Sequence, residues 1–166
     1  MLTIRDVESC DIPAVRRLLV ATWHATYDSS LGPEKVAELT DSWHASGTLG
    51  RQIGVPNTAF LLAERGGEVI ATSYAVADGD AVLLRRLYVL PAQQRRGVGA
   101  ALLGRTIDRF PVARCFTLEV ERSNAPAIRF YERNGFVQAR LSGCCGDRSD
   151  IQAIIMERLL QPRAES

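Results

Sequence analysis

The stretch YVLPAQQRRGVGAALLGRT, residues 88–106, contains the transition that decides the fold. An apolar run typical of a strand ends at Pro91, and a polar loop with two arginines follows it. Gly97 and Gly99 then open a second apolar run, whose spacing is helical. Glycines between a strand and a helix let the backbone turn tightly, and the N–H groups at the helix N-terminus can bind a phosphate. The stretch therefore predicts a site for a phosphorylated ligand.

Two familiar phosphate-binding motifs overlap this stretch, and neither fits it well. Residues 99–106, GAALLGRT, match G-x-x-x-x-G-K-[ST] except that Arg105 replaces the lysine. That motif needs an open loop, whereas AALL is a strong helix former. The segment GVGAAL has two glycines of the dinucleotide fingerprint but lacks the third, and PAQQRR separates it from the strand. Neither a nucleoside triphosphate nor a dinucleotide is therefore the favoured ligand.

A third interpretation takes QRRGVG, residues 94–99, as one unit of the form Q/R-x-x-G-x-G. The glycines allow the N–H groups from Arg95 to Ala100 to converge, with the helix dipole behind them. Such a cradle suits a pyrophosphate flanked by Arg95 and Arg96. Taken alone, the same pattern also fits an ordinary strand-to-helix turn with solvated arginines.

The segment before this stretch begins with a strand and two helices. LTIRDV, residues 2–7, predicts a strand, and Asp11 is expected to cap the first helix. Gly32 and Pro33 open a second helix. Residues 46–57 give no clear assignment.

Three β-like runs follow, TAFLLAE, EVIATSYAVA and AVLLRRLYVL, and the turn signals RGG and DGD separate them. They predict an antiparallel meander. A strand at 82–90, a helix at 97–109 and a strand at 115–120 then form one right-handed βαβ crossover, so these two strands are expected to be parallel.

The end of the chain predicts one more helix and a hairpin. The helix runs from Asn124 to Asn134 and stops at Gly135, a good position for a C′ glycine. FVQARLSG and DIQAIIMERL form a predicted hairpin around CCGDRS. The expected architecture is α/β with a mixed α+β sheet, in a single domain over residues 1–166.

The composition argues against several classes of function. The formal net charge is +1 and the hydrophobic share 46%, so no overall field recruits nucleic acid or an acidic membrane. No apolar run approaches the roughly 20 residues that cross a bilayer, and no export signal is visible, so a cytoplasmic location is expected. The four cysteines form no C-x-x-C pair, and with two histidines no metal site is expected.

A second segment, LEVERSNAPAIRFYERNGF at 118–136, follows the predicted crossover directly. Together with LYVLPAQQRRGVGAALL it resembles the GNAT superfamily of acetyl-coenzyme-A-dependent N-acetyltransferases. In that family the first stretch is the pyrophosphate-binding motif, and the second has the form N-x-x-A-x-x-x-Y-x-x-x-G-F. The matching positions here are Asn124, Ala127, Tyr131, Gly135 and Phe136. The resemblance covers residues 82–137 and implies a GNAT-like fold with splayed parallel strands.

The resemblance implies acetyl-coenzyme A as the cosubstrate, with no metal. Leu87 and Val89 match strand positions whose backbone binds the pantetheine arm and polarises the thioester carbonyl. Asn124 matches the asparagine beside the cofactor's thiol end. The positions that match the pyrophosphate loop are Arg95, Arg96, Gly97, Val98, Gly99 and Ala100.

The same resemblance implies Tyr131 as the general acid. Glu119 matches the base of the subgroup that acetylates ribosomal-protein N-termini. A phenol stays protonated at neutral pH and is matched to a departing thiolate, so it can donate the proton that the sulfur needs. Glu119 can accept the proton of the attacking amine directly or through water. Apart from the family pattern, Tyr131 also fits a core position, Asn124 a helix cap and Glu119 an ordinary strand carboxylate.

The acceptor is implied only as a primary amine of a small molecule or peptide. His24 and Tyr27, in WHATY at the end of the first helix, match a region that lines the acceptor pocket in the family, and a homodimer is the family-based expectation. Two other functions stay open. One is a non-catalytic sensor that binds acyl-coenzyme A through the same cradle. The other is a cysteine hydrolase that uses Cys144 or Cys145 with His44.

Overall fold

The computed structural model describes residues 1–142 and 152–161. Its regular elements confirm the mixed α/β class. In chain order they are β1 (Leu2–Asp6), α1 (Ile12–Leu31), α2 (Pro33–Trp43), α3 (Ser46–Gly50), β2 (Thr58–Arg65), β3 (Glu68–Asp78), β4 (Ala81–Val89), α4 (Val98–Asp108), β5 (Cys115–Glu121), α5 (Ala125–Arg133), β6 (Val137–Ser142) and β7 (Ala153–Leu159). The short helix α3 occupies the start of the segment that the sequence left unassigned.

The strands of the described residues form one seven-stranded sheet in the order β1-β2-β3-β4-β5-β7-β6. β2, β3 and β4 are consecutive neighbours joined by tight turns, which confirms the predicted meander. Gly66, Gly67 and Gly79 in these turns all have positive φ, the conformation that such hairpins require.

The predicted parallel pairing of the two strands that flank α4 is also confirmed, because β4 and β5 pair in parallel. Their register joins Ala81–Leu84 to Cys115–Leu118, whereas β4 continues to Val89. β7 then pairs antiparallel with both β5 and β6, so it lies between them. The predicted hairpin partners are thus neighbours, and the CCGDRS connection lies outside the described residues.

The chain forms two compact units. Unit 1 comprises Met1–Tyr74 and Arg86–Thr106, and unit 2 comprises Ala75–Arg85 and Ile107–Ser166. Each has its own buried side chains: Leu61, Ile70 and Leu102 in unit 1, and Phe116, Leu118 and Met156 in unit 2. The single domain over residues 1–166 stays a prediction.

The role expected of Asp11 is wrong in one respect. Asp11 precedes α1 as predicted, but its carboxylate does not cap that helix. It accepts hydrogen bonds from the Arg5 guanidinium at 2.7 and 2.9 Å and from the Glu8 N–H at 2.8 Å. The Arg5 contact lowers the pKa of Asp11 below its usual range. Because the backbone of Asp11 is already helical, the side chain is directed to β1 and the preceding turn instead.

Candidate active site

The loop before α4 has the backbone geometry of an anion cradle. Arg95 and Gly97 have φ of +61° and +77°, and Arg96 between them is outside the left-handed region. Alternation of the two hands turns successive N–H groups toward one side, which makes a concave nest for an anion. The left-handed region is strained for residues with a Cβ atom, which explains the glycine at position 97.

The N-terminus of α4 continues this cradle. The Ala101 N–H donates to the Gly97 carbonyl at 3.0 Å, which is the first hydrogen bond of the helix. The N–H groups of residues 98–100 precede that bond, so they have no carbonyl partner within the helix, and the positive end of the helix dipole adds to them. The Val98 side chain is buried against Ile70, so the loop is anchored while Arg95 stays exposed.

The end of β4 separates two sets of side chains. Leu87 and Val89 pack on the cluster that contains Ile70 and Val98, whereas Tyr88 packs on the cluster that contains Trp23. Strand residues alternate between faces, so this division follows from the backbone. The side chains of Leu87 and Val89 are engaged in the core, and any role in binding a ligand falls to their backbone atoms.

Asn124 lies at the N-cap of α5 in unit 2. Its side-chain oxygen accepts a hydrogen bond from the Ala127 N–H at 3.3 Å. An asparagine in this position satisfies one of the N–H groups that a helix N-terminus leaves unpaired. The capping role is therefore observed, and the side chain remains half-buried.

Tyr131 lies in the last turn of α5, which ends in a Schellman motif. The Phe136 N–H donates to the Tyr131 carbonyl at 3.0 Å, and the Gly135 N–H donates to the Glu132 carbonyl at 3.1 Å. Gly135 has a φ of +87°. Tyr131 is 8% exposed, and its ring contacts the rings of Phe130 and Phe136 at 5.1 and 5.6 Å between centroids. The pattern Y-x-x-x-G-F thus has a structural cause of its own, since it encodes the C-cap and its apolar contact.

Glu119 lies on β5, also in unit 2. Its neighbours Leu118 and Val120 are buried, whereas Glu119 is exposed on the other face of the strand. In the sheet it lies opposite Ile155 of β7. Its side chain is therefore on the exposed face of this strand.

The two acceptor-site candidates of the sequence lie in the second half of α1. The His24 Nδ1 is 2.7 Å from the Asp28 Oδ1, one helical turn later. The Tyr27 ring contacts the Trp23 ring at 4.7 Å. Both side chains are half-buried.

Sequence patterns missed a group of buried and half-buried polar side chains on the Tyr88 side of β4. The Arg86 guanidinium lies over the rings of Phe60 and Tyr74, at 5.1 and 4.8 Å from their centroids. Its Nη2 donates to the Gln52 Oε1 at 2.6 Å, and its Nε is buried without a hydrogen-bond partner among the described residues. Burial lowers the pKa of Arg86 to about 10. The only signal in the sequence is the arginine pair, Arg85 and Arg86, inside the apolar run AVLLRRLYVL.

His44 is the second member of this group. It is 6% exposed, and neither ring nitrogen has a hydrogen-bond partner within the part of the chain that the structure describes. Its ring contacts Trp23 at 5.8 Å. Burial, with the positive charges of Arg86 and Arg16, lowers the pKa of His44 to about 4, so the imidazole is neutral at pH 7.

The remaining expectations concern metals, membranes and thiols. Over residues 1–142 and 152–161, no group of three His, Cys, Asp or Glu side chains is placed to hold a metal ion. Over the same residues, no helix combines the length and apolar character that a membrane crossing needs. Cys144 and Cys145 lie outside the described residues, so a hydrolase that uses them with His44 stays a prediction.

Comparison with known proteins identifies the family. Residues 13–136 match the model of the Acetyltransferase (GNAT) family. The chain therefore belongs to the Acetyltransferase (GNAT) family, and the resemblance seen in the sequence is confirmed.

Two bacterial relatives of known sequence illustrate the range of similarity. The peptidyl-lysine N-acetyltransferase YiaC of Escherichia coli is 27% identical over 135 residues, which are 80% of this chain and 82% of that protein. The uncharacterised N-acetyltransferase YhfO of Bacillus subtilis is 31% identical over 87 residues. That match spans 48% of this chain and 58% of the Bacillus protein.

Two solved structures share the fold over nearly the whole chain. The PaiA N-acetyltransferase of Thermoplasma acidophilum in complex with coenzyme A has a TM-score of 0.83 and 21% identity, and the match covers 96% of this chain and 99% of that one. The ribosomal-protein-S18-alanine N-acetyltransferase of Escherichia coli has a TM-score of 0.75 and 26% identity, with coverage of 100% and 99%. The GNAT-like fold is thereby confirmed.

Proposed function

We propose that this protein is an N-acetyltransferase that moves an acetyl group from acetyl-coenzyme A directly to a primary amine of a small molecule or peptide. The observation that carries the proposal is the cradle at Arg95–Gly97 and the N-terminus of α4. Its convergent N–H donors suit a diphosphate, and the family to which the chain belongs is one of acetyltransferases.

The residues present fit the cofactor. The N–H groups of residues 95–100 bind the pyrophosphate, and the exposed side chains of Arg95 and Arg96 flank it. The backbone of Leu87 and Val89 holds the pantetheine arm and donates to the acyl oxygen as it gains charge. Bound in this way, acetyl-coenzyme A supplies an activated acetyl group as a thioester.

Two side chains of unit 2 move the protons. The Tyr131 phenol donates its proton to the departing sulfur as the C–S bond breaks. Glu119 accepts the proton that the amine loses as the C–N bond forms, directly or through water. Asn124 lies beside the thiol end while its oxygen caps α5. Both proton transfers are balanced, because one proton leaves the amine and one reaches the sulfur.

The relatives support an amine as the acceptor. YiaC is named for peptidyl lysine, and the Escherichia coli structure is named for the alanine of ribosomal protein S18. His24 and Tyr27 line the acceptor side in this proposal. A cytoplasmic homodimer that binds neither nucleic acid nor membrane is the accompanying expectation.

A coenzyme-A release assay over amino acids, polyamines, aminoglycosides and short peptides tests the proposal. Tyr131→Phe keeps the buried ring, so we expect it to stay folded in a thermal melt while kcat falls roughly 10²- to 10⁴-fold. Glu119→Gln is expected to lower kcat on the acidic side of the pH profile, where an unassisted amine is protonated. Undiminished release by Tyr131→Phe would contradict its role as the acid.

The cofactor itself is tested by thermal stabilisation. Acetyl-coenzyme A at a hundred times its Kd is expected to add about 2.7 kcal/mol to the free energy of unfolding. Stabilisation without turnover of any amine would favour an acyl-coenzyme-A sensor instead. The absence of any stabilisation would contradict both functions.

A further inference from the structure

We propose that the acceptor carries a carboxylate in addition to its amine, and that this carboxylate binds the guanidinium of Arg86. The proposal rests on the proposed function and names the chemistry of its acceptor. The Arg86 cluster is defined here as Arg86, Trp23, His44, Gln52, Phe60, Tyr74 and Tyr88, all of them in unit 1.

The first observation is a half-buried cation, with a fully buried Nε, that has no counter-ion among the described residues. No carboxylate of the described residues forms an ion pair with Arg86, and its hydrogen-bond partner Gln52 is a neutral amide. Removal of the Arg86 guanidinium from water is the main reason why its pKa is lowered. The rings of Phe60 and Tyr74 offset part of its cost through cation–π contact, but they supply no negative charge. A bound anion would complete the site.

The second observation is a set of unused hydrogen-bonding groups around this cation. The Nε of Arg86, the Nε1 of Trp23 and both ring nitrogens of His44 are buried without partners among the described residues. Burial raises the pKa of the Tyr88 phenol, and the neighbouring Trp23 lowers it. The Trp23 Nε1 nevertheless forms no hydrogen bond with the phenol. Buried polar groups are ordinarily satisfied, and a carboxylate can accept several hydrogen bonds at once. The unused donors are the N–H groups of Arg86 Nε and Trp23 Nε1 and the single N–H of the neutral His44 ring, and one carboxylate can accept all three.

The charge balance favours a carboxylate over a phosphate. Arg86 is the one cation of the cluster, because His44 is neutral at pH 7, and the nearby Arg16 already pairs with Asp41 at 2.6 Å. A singly charged carboxylate is neutralised by one guanidinium, to which it can bind through two parallel hydrogen bonds. A phosphate with close to two charges would remain partly uncompensated in these aromatic surroundings.

The position of the cluster also suits an acceptor. Arg86 and Tyr88 alternate along β4 with Leu87 and Val89, whose backbone is proposed to hold the pantetheine arm. Adjacent Cα atoms are about 3.8 Å apart, so the proposed carboxylate site and the proposed pantetheine site share one short segment of β4. Trp43 contacts the Trp23 ring at 5.5 Å and is 44% exposed, which brings the aromatic group to the surface.

The test compares acceptors that differ only in the carboxylate. Free amino acids are paired with their amides, and lysine peptides with a neighbouring glutamate are paired with the same peptides carrying glutamine. We expect the wild-type protein to prefer one carboxylate series by at least tenfold in kcat/KM. A preference for free amino acids over their amides identifies the α-carboxylate of an amino acid as the group that is bound. A preference for the glutamate peptides identifies an acidic peptide as the acceptor. Equal use of both members of every pair would overturn the proposal.

Variants of two neighbouring arginines separate the site from general charge. Arg86→Met keeps a long side chain without charge, and we expect it to lose the preference through a higher KM for the carboxylate acceptor alone. Arg86→Lys keeps the charge without the planar fork and is expected to retain part of the preference. Arg85→Met, on the exposed neighbour of the same strand, is the matched control and should keep all of it. An unchanged preference in Arg86→Met would overturn the proposal.

A binding measurement distinguishes failure of this inference from failure of the proposed function. Tryptophan fluorescence is followed while N-acetyl amino acids, or their amides, are titrated into the wild-type protein and Arg86→Met. A response to the carboxylate in the wild type alone supports the site even if no amine is acetylated. Turnover of amines with no carboxylate-specific response leaves the acetyltransferase standing and overturns the Arg86 site.

Discussion

The loop at residues 94–100 and the Arg86 cluster are built in opposite ways, although both adjoin β4. The loop is made of backbone: its N–H groups are directed by the φ values of Arg95 and Gly97, and the arginine side chains are exposed. The cluster is made of side chains from many separate segments, and its polar atoms are buried. A loop of the first kind depends on a few backbone conformations. The stability of a cluster of the second kind depends on the hydrogen-bond and charge partners of each buried side chain.

The Arg86 cluster should be most sensitive to protonation of His44. The pKa of His44 lies at about 4 in the folded protein, against an ordinary 6.5. Between these values the unfolded chain binds a proton that the folded chain does not, so stability present above pH 6.5 is lost as the pH falls toward 4. We expect a loss on the order of 3 kcal/mol by pH 4 from this residue. Urea unfolding of the wild type and His44→Phe from pH 7 to pH 4 measures it.

The comparison of His44→Phe with the wild type isolates this contribution. Asp11 also titrates in acid with a lowered pKa, but it is present in both proteins and cancels in the difference. His24→Gln, at the half-buried histidine beside Asp28, is the matched control for the loss of an imidazole. Equal pH dependence of His44→Phe and the wild type would show that His44 does not resist protonation.

The loop should instead be sensitive to a Cβ atom at Gly97. A Cβ there meets nothing within 4 Å, but the φ of +77° is strained for any other side chain. With a side chain at this position the left-handed conformation costs roughly 1–2 kcal/mol, so the backbone is expected to change its φ. The N–H groups of the loop then no longer point to one place. We therefore expect Gly97→Val to weaken acetyl-coenzyme A binding about tenfold in calorimetric titration.

Gly104 provides the matched control for this change. It lies exposed within α4, and a Cβ there also meets nothing within 4 Å, but its φ is not positive. Gly104→Ala should leave the Kd unchanged and raise the free energy of unfolding by about 0.5–1 kcal/mol. Weaker binding in Gly104→Ala as well would mean that glycine content, and not the left-handed turn, sets the affinity.

The same contrast explains what could be predicted from the sequence. The crossover, α5 and its C-cap have local signals, namely Pro91, the helical period and Gly135, and all of them were predicted. The carboxylate contacts of Asp11, the position of β7 between β5 and β6, and the Arg86 cluster depend on segments that are far apart in the chain. No local pattern encodes such contacts, and a pair of arginines within an apolar strand is the only indication.

Gly135, in unit 2, is a second glycine whose positive φ is required by the local backbone, here at the end of α5. Its φ is +87°, and an added Cβ would lie 3.4 Å from the Arg158 Nε, which is an ordinary van der Waals contact. We expect Gly135→Ala to lower the free energy of unfolding by about 1–2 kcal/mol. Gly135→Asn should cost less, because asparagine tolerates the left-handed region better. Urea unfolding at pH 7 decides this, and equal losses in the two variants would point to the Arg158 contact instead of the backbone.

Asn124 has one observed role, as the cap of α5, and one proposed role, beside the thiol end of the cofactor. Its oxygen caps α5 through the Ala127 N–H, so Asn124→Ala should cost about 1 kcal/mol of stability. Serine caps about as well as asparagine but has no amide nitrogen. If Asn124 also lies beside the thiol end of the cofactor, Asn124→Ser restores the unfolding free energy while the KM for acetyl-coenzyme A stays raised. If serine restores both quantities, the asparagine acts on the cofactor only through the helix that it caps.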